Sequence, residues 1–257
     1  MRLLLTLFTS LFLLSSQPLT AQYARFPKSG VIEYEKSVNM DALLQNRINK
    51  NNEGFMRQLL ESYKKSQPQF KKLKSTLSFS GNKSLFTPIE ETASGGGFFD
   101  DPMVTQHNTI FTDLAAGKSI TGKNVFEETF LVKDSTRKIN WKITSETREI
   151  AGFECRRANA LVLDSIYVVA FYTDRIPVTG GPESFTGLPG MILGVALPYE
   201  NTTYFATAVD DRPVSAKELE APKKGKAVNY RELRTELEAS LKNWGEYAHP
   251  IFKAMML

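Results

Sequence analysis

Apolar and polar side chains alternate with period two over most of the chain, which predicts strands. Residues 29–40 place Ile32, Tyr34 and Lys36 on one phase against Val31, Glu33 and Glu35 on the other. Shorter β-type runs follow at 73–80, 84–89 and 109–114, then at 125–133, 137–143, 153–163 and 166–173. Residues 191–197 and 202–210 form a further hairpin around the turn at 198–201. Strands at about ten-residue spacing joined by turn residues describe an antiparallel meander. Two stretches change period. Residues 42–66 carry Leu43, Leu44, Ile48, Phe55, Leu59, Leu60 and Tyr63 partly at helical spacing. Asp41 is the expected N-cap there, and the NKNNEG run at 49–54 is the expected break. Residues 230–256 carry Leu233, Leu237, Leu241, Trp244, Tyr247 and Ile251 at three- and four-residue steps. They predict an amphipathic helix, bent or broken near Gly245 or Pro250, after a polar linker at 221–227. The expected fold class is α+β, a single domain built mainly on an antiparallel β-sheet meander. A helical insert follows the first strand, and a C-terminal helical extension begins at about residue 229.

The N-terminus follows another rule. Arg2 precedes an apolar run at 3–14, too short for a hydrocarbon core that needs about 20 residues. Ser15, Ser16, Gln17 and Pro18 break it, and Leu19-Thr20-Ala21 offers a small residue for cleavage. Residues 1–21 therefore read as a secretory signal peptide. The domain over 22–257 is then exported, to the periplasm or the outer-membrane surface. No later apolar run reaches spanning length, so no transmembrane segment is expected in the mature chain.

Composition narrows the function classes. Of 257 residues, 42% are hydrophobic and 23% charged, which excludes wholesale disorder. Lys and Arg number 32 against 28 Asp and Glu, a net charge of +4, yet no basic stripe concentrates them. No nucleic-acid partner is expected. One cysteine excludes a disulfide framework and any cysteine cage for zinc or iron–sulfur, and two histidines leave little for a metal. No cofactor is expected.

Residues 176–193, IPVTGGPESFTGLPGMIL, are dense in types that dictate backbone path, since proline fixes φ and glycine permits φ > 0. Gly187-Leu188-Pro189-Gly190-Met191-Ile192 resembles the hexapeptide that names the GLPGLI family of exported Bacteroidetes proteins, with Met for the second Leu. Phe171-Tyr172-Thr173 before Ile176-Pro177, and the Gly181-Pro182 step, resemble the family's flanks. So do Trp141-Lys142-Ile143 and the later Ile150-Ala151-Gly152-Phe153-Glu154-Cys155 with Ala158. The likeness is strong over 141–193, weakens to a general pattern over 29–86, and does not reach the C-terminal helix. The family is one of unknown function. What the resemblance implies is export and an envelope role, with an outer-membrane receptor or another envelope protein as partner. It brings no catalytic residues, metal or cofactor.

Few residues stand in a spacing that marks chemistry. Ser184 lies in Gly181-Pro-Glu-Ser-Phe-Thr-Gly187, which is not the Gly-x-Ser-x-Gly of a nucleophile elbow. A triad of Ser184, His249 and an Asp would have to assemble in space. Asp100/Asp101, Glu127/Glu128 and Asp210/Asp211 are paired carboxylates, but neighbours on a strand face opposite ways, so Glu127 and Glu128 cannot flank one bond. The glycine-rich run at 90–101 reads as a surface loop, because no Lys-Ser or Lys-Thr follows its glycines to make a phosphate loop. Asp100 and Asp101 on it have no third acidic residue near in sequence to complete a cation site. Cys155 shares the phase of Phe153, which implies a buried thiol. The alternative is an exposed thiolate activated by Arg156 and Arg157, or a bridge to another chain.

Two function classes follow. One is a non-enzymatic envelope protein that binds a protein partner or an apolar ligand. The other is an envelope hydrolase with a poorly marked site. They separate on whether His107 or His249 lies beside a Ser, Asp or Glu in a cleft. The candidate site is the motif loop itself: Gly181, Pro182, Gly187, Leu188, Pro189, Gly190, Met191 and Ile192, read as a structural keystone first and a binding surface second. On that reading Leu188, Met191 and Ile192 fold back onto the sheet, and Gly187 or Gly190 takes φ > 0. Pro189 delays strand pairing until Met191. Gly190→Val then lowers the melting temperature by several degrees.

Overall fold

In β1 (Ser29–Asn39) every second residue is buried: Gly30, Ile32, Tyr34, Lys36 and Val38. That strand pairs antiparallel on both sides, with β2 (Phe70–Ser80) and with β11 (Thr202–Asp210). It is the seam between two meanders. On one side β2 is followed outward by β3 (Lys83–Pro88), β4 (Asn108–Asp113), β5 (Lys118–Val125) and β6 (Glu128–Ser135). On the other, β11 is followed by β10 (Met191–Leu197), β9 (Ile166–Thr173), β8 (Phe153–Val162) and β7 (Lys142–Ile150). β12 (Lys226–Val228) joins β6 in parallel, and all other neighbours are antiparallel. The computed structural model describes residues 26–89 and 101–257. The signal-peptide reading of 1–21 and the glycine-rich run up to residue 100 lie outside the described residues.

The helices follow the sequence with corrections. α1 (Met40–Asn46) and α2 (Glu53–Ser66) form the insert after β1. The cap of α1 is Asn39, whose side chain accepts from Ala42 N at 3.2 Å; Asp41 lies inside the first turn. The break between them is closed by amides. Asn49 Oδ1 accepts from the Asn51 and Asn52 main chain, and Asn52 Nδ2 donates to Arg47 O at 3.0 Å. α3 (Pro102–Thr105) is a single turn capped by Asp101. At the C-terminal end α4 (Tyr230–Leu241) and α5 (Ala248–Met256) are separate helices, with Gly245 at φ +56 between them. Pro250 sits in the first turn of α5, where a missing N–H costs nothing, so it breaks no helix.

Two strand expectations and one linker expectation fail. Residues 125–133 do not form one strand, because Phe126 and Glu127 make the two-residue turn that pairs Val125 with Glu128. No glycine signals that turn. Phe126 takes φ +54, and its ring lies 5.4 Å from that of Trp244, so a tertiary contact accompanies the strained backbone. Residues 137–141 do not pair either; their alternation records packing. They carry the chain from one edge of the sheet to the other, with Ile139 and Trp141 against the core and Trp141 Nε1 donating to Thr186 O at 2.9 Å. The polar linker at 221–227 contributes to β12, a strand too short to show a period.

The sheet is strongly curled. β4 and β11 stand four strand spacings apart, about 19 Å on a flat sheet. Yet one carboxylate, that of Glu183, accepts from Asn108 Nδ2 on β4 at 2.9 Å and from Tyr204 OH on β11 at 3.4 Å. The other half bends too. Arg148 on β7 holds its guanidinium 4.8 Å from the ring centre of Phe205, again four strands away. Inside the curl run the strap from Asp174 to Gly190, which links β9 to β10, and the end of α5.

Candidate functional site

The strap is tied to the sheet by its main chain. Met191 N donates to Ile176 O at 3.0 Å, Ile192 N to Gly180 O at 2.9 Å and Gly187 N to Thr179 O at 3.2 Å. Tyr34 OH donates to Ile192 O at 2.6 Å. Leu188, Met191 and Ile192 are fully buried, and both Gly187 (φ +91) and Gly190 (φ +148) occupy the region that favours glycine. β10 starts at Met191, directly after Pro189 and Gly190. Gly181 and Pro182 make the approach to Glu183, a non-glycine residue held at φ +51. Such a conformation costs about 1–3 kcal/mol and persists only where its surroundings fix it.

Those surroundings are a buried polar cluster. Glu183 is 8% exposed, Lys36 7%, Ser75 5% and Lys123 2%. The strand register explains the company. Lys36 pairs across with Tyr204, and Asn108 with Lys123, so the curl turns both pairs toward one carboxylate. Lys36 Nζ lies 5.4 Å from the centre of the Tyr204 ring. Lys123 Nζ donates to Met255 O at 2.6 Å, and Arg137 Nη2 to Met256 O at 2.8 Å, two cations at the carbonyl end of α5. Ser75 Oγ and Thr121 Oγ1 are buried with no hydrogen-bond partner among the described residues. A cavity of about 20 Å³ lies among Lys36, Ser75, Gln106, His107, Glu183 and Tyr204, and a second of about 10 Å³ shares Lys36, Gln106, Glu183 and Tyr204. The larger has room for one water-sized group.

Burial dominates the electrostatics. It drives the Lys123 amine from 10.5 down to about 8, with Glu183 pulling upward and Arg137 and Lys36 pushing further down. The Lys36 amine is lowered as well by burial, against the pull of Glu183 and Asp101. Between about pH 8 and 10.5 the unfolded chain therefore holds a proton that folded Lys123 has released, and stability rises with pH across that window. From pH 8 to 9 the gain is about 1 kcal/mol, or roughly 2–4 °C in melting temperature. Above pH 9 the Cys155 thiol opposes it. Burial pushes that thiol up to about 12, so the unfolded thiol ionises first and stability falls. Subtracting the melting curve of Lys123→Met from that of the wild type isolates the lysine. The difference is expected to climb from pH 8 to 9; parallel curves would refute the buried-amine account.

The other candidates are dispersed. Ser184 Oγ donates to Leu257 O at 3.3 Å. Exposed His249 lies eight residues before Leu257, about 12 Å along α5 at 1.5 Å per residue, so no Ser184–His249 pair forms. His107 is exposed at the cavity mouth. Asp101 accepts from Arg47 at 3.0 and 2.8 Å and caps α3, so its carboxylate is committed to structure. Glu127 is in a turn, Glu128 is exposed, and Asp210 pairs with Arg212 at 3.4 Å. Among the described residues no group of three or more His, Cys, Asp or Glu could hold a metal ion. Cys155 is completely buried, on the core side with Phe153. No described helix is long and apolar enough to cross a membrane.

Comparisons with known proteins bear on the strap. A family model described as "Protein of unknown function (Porph_ging)" matches residues 161–194, from the end of β8 through the strap into β10. No curated protein matches. PNGF-II, solved in two crystal forms, is similar at 18% and 16% identity, with a TM-score of 0.49 in each. The matches cover 78% and 88% of this chain but 32% and 33% of the PNGF-II chain, so this chain spans about a third of that length. An uncharacterized conserved protein from Thermus thermophilus is similar at 4% identity and a TM-score of 0.37, over 77% of this chain and 90% of that one.

Proposed function

We propose that the protein is an exported component of the cell envelope that binds rather than catalyses, and that its binding feature is the polar site beneath the strap. One observation carries this reading: a strained, buried Glu183 is presented by the family-matched segment to two buried lysines. Strain and buried charge concentrate at functional sites. Of the two occupants open to such a protein, the buried Lys36, Ser75 and Glu183 side chains support one that brings a polar group to a cavity otherwise lined by Leu73, Phe86, Pro88 and Ile89.

The hydrolase alternative has one observation on its side, since His107, Ser75 and Glu183 line the same cavity. Against it, Ser75 Oγ has no base within hydrogen-bond reach among the described residues, and the Glu183 oxygens are held by Asn108 and Tyr204.

The test has two parts. Mass spectrometry of the native protein is expected to find a chain starting at Gln22, and Met1 or Arg2 retained would end the export claim. Tagged wild type is expected to retain an envelope component that Lys36→Met loses. Ester or amide hydrolysis abolished by His107→Ala would overturn the non-catalytic reading.

A further inference from the structure

The geometry points to Lys36 as the anchor of an oxyanion site: a carboxylate or phosphate group places one oxygen in the cavity between Lys36, Ser75 and Tyr204. This rests on the reading of the protein as a binder and names its ligand class.

Three observations carry it. The first is charge. Among the described residues Lys36, Lys123 and the half-buried Arg137 surround a single buried carboxylate side chain, Glu183, and the neighbouring Arg47–Asp101 pair is neutral in itself. Positive side chains are in excess there, and an anion matches them. The second is hydrogen bonding. Both Glu183 oxygens are engaged by Asn108 and Tyr204, and the Lys36 ammonium lies over the face of the Tyr204 ring. Ser75 Oγ, buried and without a partner among the described residues, lines the same void. An oxyanion would accept from both. The third is access. The cavity shares Pro88 and His107 with a trough of about 660 Å³, walled by Thr109, Asn124 and Thr129 on the sheet and opposite by Pro222, Lys224 and the Glu220–Lys223 ion pair. That volume is in the range of small-molecule sites. A water alone would satisfy the donors but leave the charge.

The test is thermal denaturation of the full domain in acetate, in inorganic phosphate and in chloride at equal ionic strength. At a free concentration tenfold above Kd the favoured oxyanion is expected to raise the wild-type melting temperature by roughly 3–6 °C over chloride. The rise should be absent in Lys36→Met. A rise with acetate alone assigns a carboxylate ligand, and one with phosphate alone a phosphate ligand. No rise over chloride, or an equal rise in Lys36→Met, overturns the site. Should Lys36→Met fail to fold, Ser75→Ala takes its place: a weakened response supports the site and an unchanged one overturns it. Envelope-component capture by the wild type without an oxyanion response would sink this inference and leave the broader binding role standing.

Discussion

Gly190→Ala is expected to lower the melting temperature by about 6–12 °C, the loss that about 3 kcal/mol produces in a domain of this size. A methyl group there would lie 2.1 Å from Thr173 O, 2.7 Å from Thr173 C and 2.9 Å from Asp174 Cα. All three are backbone atoms. Thr173 is the residue paired with Met191 at the start of the β9–β10 ladder, so it cannot retreat without opening that ladder. Overlap of this kind costs about 1–3 kcal/mol, and a Cβ at φ +148 adds its own strain. Gly187→Ala is the internal control. Its φ is +91, but the nearest atom to an added Cβ is Trp141 Nε1 at 3.9 Å, so only the backbone strain applies. The two variants should therefore rank, with Gly190→Ala losing at least twice as much by thermal melting. Equal, small losses would mean that the strap is not pinned where it meets β9.

The strands around the strap are the part of the fold that the sequence states most clearly. β9, β10 and β11 begin and end where the pattern of apolar residues puts them, at 166–173, 191–197 and 202–210. The reason is local. β10 lies between Gly190 and Pro198, β11 follows Asn201, and β9 lies between Asp164-Ser165 and Asp174, so β propensity and turn punctuation agree. Where the pattern fails, the deciding contact is distant in sequence: Trp244 against Phe126, Thr186 against Trp141, Phe130 and Val132 against β12. The site was half visible. Lys36 stands on the same phase of β1 as Ile32 and Tyr34, a lysine where an apolar residue is due, and that signal is available without coordinates. Glu183 carries no comparable mark. Its burial comes from the curl of the sheet, which brings β4 and β11 to one carboxylate, and no periodicity encodes the curvature.

Glu183→Gln is expected to cost about 3 kcal/mol at pH 7, because removing one partner leaves buried charge without its counter-ion. Glutamine keeps the shape; its one oxygen accepts from Asn108 and its amide NH2 donates to the Tyr204 hydroxyl, which can turn to accept, so the loss is chiefly one of charge. Two consequences distinguish it from a packing defect. The first is pH. Without Glu183 the amines of Lys36 and Lys123 fall further, since that carboxylate is the largest influence holding both upward. The unfolded chain then binds more protons than the folded one over a wider span, and the variant gains stability more steeply toward alkaline pH. Its deficit should shrink between pH 7 and 9.5 in chemical denaturation, whereas a packing defect would persist. The second is rescue. Lys36→Met removes the stranded ammonium while keeping an unbranched side chain of similar length, so the double variant should recover much of the stability lost by Glu183→Gln alone. The coupling expected from that cycle exceeds about 1 kcal/mol, as for groups sharing one buried network. Additive losses in the double variant would show that the two charges do not meet beneath the strap.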